Sequence, residues 1–133
     1  MKKRILIVVS DYYKDISEAL LNSTKKYLNK RTSLKIVKVP GVFEIPVIIS
    51  KNIKKFDGFV AIGCVIRGKT AHFDLISKSV IDAIMNISVN NKKPIGNCIL
   101  TCFNYKQALS RKNKGKEAAV ALNSIPVSYT HLT

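Results

Sequence analysis

The chain has 133 residues, 47% of them apolar and 23% charged, a length and balance that suit one compact domain and exclude a disordered segment. Twenty-three Lys and Arg against eight Asp and Glu leave a net charge of +15, which raises nucleic acid or an anionic membrane surface as partners until the charges are located. The longest apolar run, Phe59 to Ile66, falls far short of the roughly 18 residues of a membrane-spanning helix, so a spanning protein is excluded.

Met1-Lys2-Lys3-Arg4 followed by Ile5 to Val9 has the outline of a signal peptide. Five apolar residues are too few for one, and no small-residue cleavage site follows, so the run reads as a first strand. It is β-branched without alternation, as a strand covered on both faces should be. Asp15-Ile16-Ser17-Glu18 has the spacing of a helix-capping box, and Ile16, Leu20, Thr24 and Tyr27 continue one helical face, which predicts a helix to about Lys30. Leu34 to Val39 reads as the second strand, stopped by Pro40-Gly41, and Ile45 to Ile53 as a short helix entered at Pro46. Phe59 to Cys64 is the third strand. Phe73, Ile76, Val80, Ile84 and Ile87 recur at helical steps up to Asn90-Asn91. Pro94 to Leu100 is the fourth strand, followed by a polar helix from near Asn104 and a last helix from about Lys116 to Leu122. Strands alternating with crossover helices predict an α/β protein, a three-layer α/β/α sandwich around a four-stranded parallel sheet.

The basic residues are spread over helix surfaces and loops without an aromatic platform or a nucleic-acid motif, and lysines outnumber arginines 19 to 4. Arg is the residue favoured for planar contacts to phosphates and bases, so the charge reads as a solvated face and nucleic acid is not expected as a partner. Three cysteines, Cys64, Cys98 and Cys102, make no CxxC pair and no even disulfide set, which fits a reducing cytoplasm. Cys98 and Cys102 are roughly 13 Å apart along a strand, too far to share a metal, and all three read as buried thiols.

Ligands of open parallel sheets bind beyond the carboxyl ends of the strands, so the residues just after each strand are the candidates. They are Ser10-Asp11-Tyr12-Tyr13, Pro40-Gly41-Val42-Phe43-Glu44, Gly63 to His72, and Thr101-Cys102-Phe103-Asn104. Gly68-Lys69-Thr70 precedes a helix whose free N–H groups and dipole favour an anion such as phosphate, with Lys69 adding charge. This turn is not taken as a Walker loop. His72, near the same helix start, is suited to proton exchange near neutral pH, although it can equally be a capping residue. Phe43 and Glu44, in an extended turn, would point apart, one stacking on a ring and one accepting from hydroxyls; the plainer alternative is a core Phe beside a surface Glu. Arg111 offers a planar fork for phosphate, but a lone Arg on a helix is usually solvated.

Pro40-Gly41-Val42-Phe43-Glu44-Ile45-Pro46, Gly63-Cys64-Val65-Ile66-Arg67-Gly68-Lys69-Thr70-Ala71-His72-Phe73-Asp74 and Asn113-Lys114-Gly115-Lys116-Glu117-Ala118-Ala119, in this order and spacing, strongly resemble the 6,7-dimethyl-8-ribityllumazine synthase family over about residues 4 to 122. The resemblance implies a flavodoxin-like sandwich and the penultimate step of riboflavin synthesis. In that transferase reaction 5-amino-6-(D-ribitylamino)uracil condenses with 3,4-dihydroxy-2-butanone 4-phosphate, without cofactor or metal. It further implies that Tyr12 stacks on the pyrimidine and that Val42, Phe43 and Glu44 line the ribityl side, Glu44 binding hydroxyls. Main-chain groups of Cys64, Val65 and Ile66 would read the pyrimidine edge, and Lys69 and Thr70 would hold the phosphate. His72 would transfer protons. Arg111, the second catalytic residue beside His72, would bind the phosphate and help it leave, and Asn97 contact the pyrimidine, from a neighbouring subunit; Lys114 would lie near the phosphate. Such shared sites imply homo-pentamers at least, sometimes paired or built into shells of about 60 subunits.

The chain departs from the family pattern at Tyr13, commonly Asn, at Lys69, commonly small or acidic, and in a short stretch between Arg111 and Asn113. Residues 1–123 are expected to form the domain. Ser124 to Thr133 breaks the family's final helix at Pro126 and reads as an atypical, foreign tail. These departures leave a rival reading, a flavin- or ribityl-ligand-binding protein on the same scaffold with impaired turnover.

Overall fold

The computed structural model describes residues 2–67 and 72–126, and of His72 the backbone alone. Four strands, β1 (Lys3–Ser10), β2 (Thr32–Val39), β3 (Gly58–Ile66) and β4 (Ile95–Cys102), form one sheet in the order β2-β1-β3-β4, and every pair is parallel. Five helices connect or follow them: α1 (Lys14–Tyr27), α2 (Ile45–Lys51), α3 (His72–Asn91), α4 (Tyr105–Ser110) and α5 (Gly115–Ser124). This strand order is that of the flavodoxin-like fold, so the expected architecture is the observed one.

Alternate residues of each strand serve opposite faces, and each face has its own core. On one, Ile5, Ile7, Val60, Ile62, Cys98 and Leu100 pack against Ile16 and Leu20 of α1, Ala108 of α4 and Ala118 and Leu122 of α5. On the other, Leu6, Val8, Phe59, Ala61 and Ile99 pack against Ile45 and Ile49 of α2 and Val80 and Ile84 of α3. β1 and β3 lie in the middle of the sheet, and Ile5 to Val8 and Phe59 to Ile62 are fully buried, which is why their sequences run apolar without alternation.

Two glycines permit close packing. A Cβ at Gly115 would lie 2.6 Å from Thr24 Oγ1 and closer still to Ser23 and the Leu20 carbonyl, so α5 begins directly against α1. A Cβ at Gly63 would meet Val42 Cγ1 at 2.5 Å, so the turn before α2 presses on the bare strand.

Two local expectations are corrected. The Asp15–Glu18 capping box does not form: α1 starts earlier, with Tyr13 in the capping position and no side-chain cap bond, and ends at Tyr27 because Leu28 turns extended. Asp15 instead lies inside the first turn, where its charge meets the positive end of the helix dipole. Phe43 and Glu44 are not extended; residues Val42–Glu44 form a 3-10 turn. At the other end α5 runs to Ser124, Ile125 is extended before Pro126, and Lys3 Nζ donates to the Leu122 and Ile125 carbonyls at 3.3 and 2.8 Å. The expected tail beyond Pro126 lies outside the described residues.

Candidate active site

The carboxyl ends of β1 and β3 mark the switch point of the sheet, because from β1 the chain first builds to one side and then, with β3, to the other. β1 pairs with β3 only as far as Val9 with Ile62, while β3 continues to Ile66 alongside Cys102 of β4. On the β1 side, main-chain groups of residues 63–66 therefore have no strand partner among the described residues. A cavity of about 440 Å³ opens there.

Seven of the expected site residues line it together: Tyr12 after β1; Val42, Phe43 and Glu44 after β2; and Cys64, Val65 and Ile66 at the end of β3. Each is held by a local device. The Asp11 N–H donates to the Val39 carbonyl at 3.2 Å, joining the exits of β1 and β2. Glu44 Oε1 accepts from the Gly41 N–H at 2.9 Å, closing the 3-10 turn and fixing its carboxylate at the cavity wall. Val42 is buried on Gly63, which leaves Phe43 directed outward. Tyr12 and Phe43 are 74% and 61% exposed, two aromatic surfaces that line the cavity.

The walls also contain residues that the strand-end argument did not single out for a role: Ser10, Tyr13, Gly41, Phe73 and Ile76. Phe73 and Ile76 read from sequence as helical periodicity, Phe73 also within the family motif, and their place in the first two turns of α3, just after β3, was the available signal. Arg67 follows β3 outside the cavity wall, its N–H donating to the Cys102 carbonyl at 2.8 Å and its guanidinium 5.7 Å from the Phe103 ring centroid.

Other expected residues lie elsewhere. Arg111, at the end of α4, and Lys114, before α5, line a second cavity of about 400 Å³ with Asn113, Lys116 and Glu117. Asn97, on the edge strand β4, lines a third of about 180 Å³ beside α3, and its Oδ1 accepts from the Ile99 N–H at 3.0 Å. Within one chain, neither of these cavities shares a lining residue with the first. Lys69 and Thr70 lie outside the described residues; His72 opens α3, and its side chain lies outside them too.

Contrary to the expectation that this turn is no Walker loop, Gly63 to Thr70 does carry that spacing, Gly-x-x-x-x-Gly-Lys-Thr. The backbone supplies the reason against it: residues 63–66 continue β3 and cannot wrap a phosphate as a loop does.

All three cysteines are buried and unbridged. Burial, reinforced by Cys102, pushes the Cys64 thiol up to about 12, and burial raises Cys98 to about 12 despite a hydrogen bond to Thr24 that works the other way. Both stay protonated at neutral pH and are poor metal ligands and nucleophiles. Among the described residues no group of three His, Cys, Asp or Glu side chains is arranged to hold a metal ion, and no helix is long and apolar enough to cross a membrane.

A flavodoxin-like sheet with an aromatic, carboxylate-bearing cleft at its switch point defines a small-molecule-binding α/β domain. Comparison with known proteins narrows the class. The family model for 6,7-dimethyl-8-ribityllumazine synthase matches residues 2–126. Curated proteins of that name are similar along nearly their whole length: from Bartonella henselae at 44% identity, covering 90% of this chain and 84% of the relative; from Bartonella tribocorum at 42%, covering 90% and 85%; and from Agrobacterium fabrum at 40%, covering 90% of each. The chain belongs to the 6,7-dimethyl-8-ribityllumazine synthase family.

Proposed function

We propose that the protein is a 6,7-dimethyl-8-ribityllumazine synthase, a transferase of riboflavin biosynthesis. The 5-amino group of 5-amino-6-(D-ribitylamino)uracil attacks the ketone of 3,4-dihydroxy-2-butanone 4-phosphate and water leaves as the Schiff base forms. Phosphate is then eliminated, and the ribityl-bearing nitrogen closes the ring with loss of a second water. The observation that carries this reading is the cavity at the β1/β3 switch point, where unpaired β3 main chain faces Tyr12 and the Phe43–Glu44 turn.

In this reading Tyr12 offers its exposed face to the pyrimidine, and main-chain groups of Cys64, Val65 and Ile66 hydrogen-bond its edge. Glu44 has one carboxylate oxygen on Gly41, and its remaining acceptor capacity serves ribityl hydroxyls beside Val42 and Phe43. Lys69 and Thr70 bind the phosphate before α3, His72 exchanges protons with the reacting nitrogen and carbon centres, and none of these steps asks for a cofactor or metal. Arg111, Lys114 and Asn97 act on a neighbouring subunit's cleft, because they line cavities apart from their own chain's cleft. A homo-pentamer is the smallest ring assigned, alone, paired or in a shell of about 60 subunits. The enzyme domain is assigned to residues 1–123, the residues after it to a tail, and the location to the cytoplasm, without nucleic acid or membrane partners.

The test is product absorbance and fluorescence with both substrates, the spontaneous reaction subtracted. His72→Ala is expected to lose roughly 100-fold or more in kcat, the scale of positioned acid–base catalysis. Arg111→Ala is expected to raise KM for the phosphate substrate about 10- to 100-fold, the scale of a charge-assisted contact. A folded, assembled protein that makes no product above background overturns the assignment and leaves a ligand-binding role.

A further inference from the structure

Tyr12 is 74% exposed, and the substrate face it offers is useful only if the ring plane is fixed. Among the described residues its one aromatic neighbour is Tyr13, with centroids 4.9 Å apart and planes at 79°, an edge-to-face pair. Tyr13 is itself anchored on several sides. Its backbone caps α1, its carbonyl accepting from the Ser17 N–H at 2.9 Å. Its half-buried ring packs against the core under α1, α4 and α5. Tyr105, the first residue of α4, stands behind it at 6.4 Å and 54°. Burial, with Tyr12 and Cys64 adding to it, also raises the Tyr13 phenol above its ordinary value, so the ring is neutral throughout the physiological range.

We infer that Tyr13 is a positioning residue for the heteroaromatic substrate: backed by Tyr105, it clamps the edge of Tyr12 and sets the plane on which the pyrimidine stacks. The inference rests on the lumazine synthase reading, in which Tyr12 is the stacking residue. Tyr13 touches no reacting atom in this account, so its removal acts on pyrimidine binding and leaves the chemical step and the phosphate substrate alone.

Steady-state kinetics with each substrate varied separately, together with a fluorescence titration of the ribityllumazine product as a pure binding readout, test it on Tyr13→Leu, Tyr13→Phe and Tyr105→Leu. Tyr13→Leu is expected to raise the pyrimidine KM and the product Kd together, about 3- to 10-fold, the worth of an edge-to-face pair, with kcat and the KM for the phosphate substrate within about twofold. Tyr13→Phe, which keeps the ring, restores most of that loss, and Tyr105→Leu shows the same pattern at smaller size. Unchanged pyrimidine KM and product Kd in Tyr13→Leu overturn the inference, as does a loss spread equally over kcat and both KM values. Should Tyr13→Leu fail to fold, Tyr105→Leu, at an exposed position, decides in the same way. Failure of the unaltered protein to make product is a separate result, which removes the functional reading itself.

Discussion

Cys98 illustrates what a single buried group does to the pH response. Its thiol titrates near 12 in the fold against about 8.5 in an unfolded chain, so between those values the folded form holds a proton that the unfolded form has released. Stability is then full below about pH 8.5 and falls as pH rises towards 12, and Cys64 adds to the slope in the same sense. Urea midpoints measured at pH 7, 9 and 10.5 should fall across that series, and Cys98→Ala should lose less between pH 7 and 10.5 than the unaltered protein does. An equal loss in both would show that the thiol does not drive the fall. That the cysteines are buried was legible from their number and spacing, since no pair or metal set was available to them. Glu44 was legible only in part: its place at the cavity wall followed from its position after a strand, but its bond to Gly41 depends on a 3-10 turn that Pro40-Gly41 does not announce.

Among the elements, α5 depends most on one missing side chain. Gly115 starts it against Leu20, Ser23 and Thr24 of α1, where a methyl group has no room. Gly115→Ala should therefore push α5 off α1 and lower the unfolding free energy by about 1–3 kcal/mol, the usual scale of overpacking, read as a shift in denaturant midpoint. Because Lys114 and Arg111 immediately precede this helix, the same variant should raise the KM for the phosphate substrate. A midpoint unchanged from the parent protein would mean that the seam adjusts freely. The strands were the most legible elements, since Ile5 to Val9 and Phe59 to Ile62 are short, apolar at every position and rich in β-branched residues, as strands covered on both faces are. The start of α1 was less so. Asp15 and Glu18 have capping spacing, but the chain leaving β1 at Ser10 reaches the helix by Tyr13, and the tertiary path overrode the local signal.

For the molecule as a whole, the division of the expected site residues between separate cavities makes a quantitative claim about assembly. If a working site takes Tyr12, Glu44 and His72 from one subunit and Arg111 from the next, His72→Ala and Arg111→Ala chains unfolded together at equal amounts and reassembled should, assayed with the phosphate substrate well below its KM, regain about a quarter of the parental activity, because half the chains carry each half-site intact. A site confined to one chain would regain none, since no chain in the mixture carries both residues. The sequence alone placed Arg111 and Asn97 only through family resemblance; nothing in local spacing says that the end of α4 and the edge of β4 face away from their own cleft.

The parallel order of the sheet also sets a timetable for making the protein. In register, Ile5 of β1 meets Gly58 of β3, so at the roughly 5–20 residues per second of translation β1 leaves the ribosome several seconds before that partner exists. During that interval β2, which emerges first, can cover one edge of this apolar stretch, but the edge that faces β3 stays open. The flanking Lys2, Lys3 and Arg4 put like charges beside that stretch on every nascent copy, the kind of flanking charge that disfavours edge-to-edge pairing between chains.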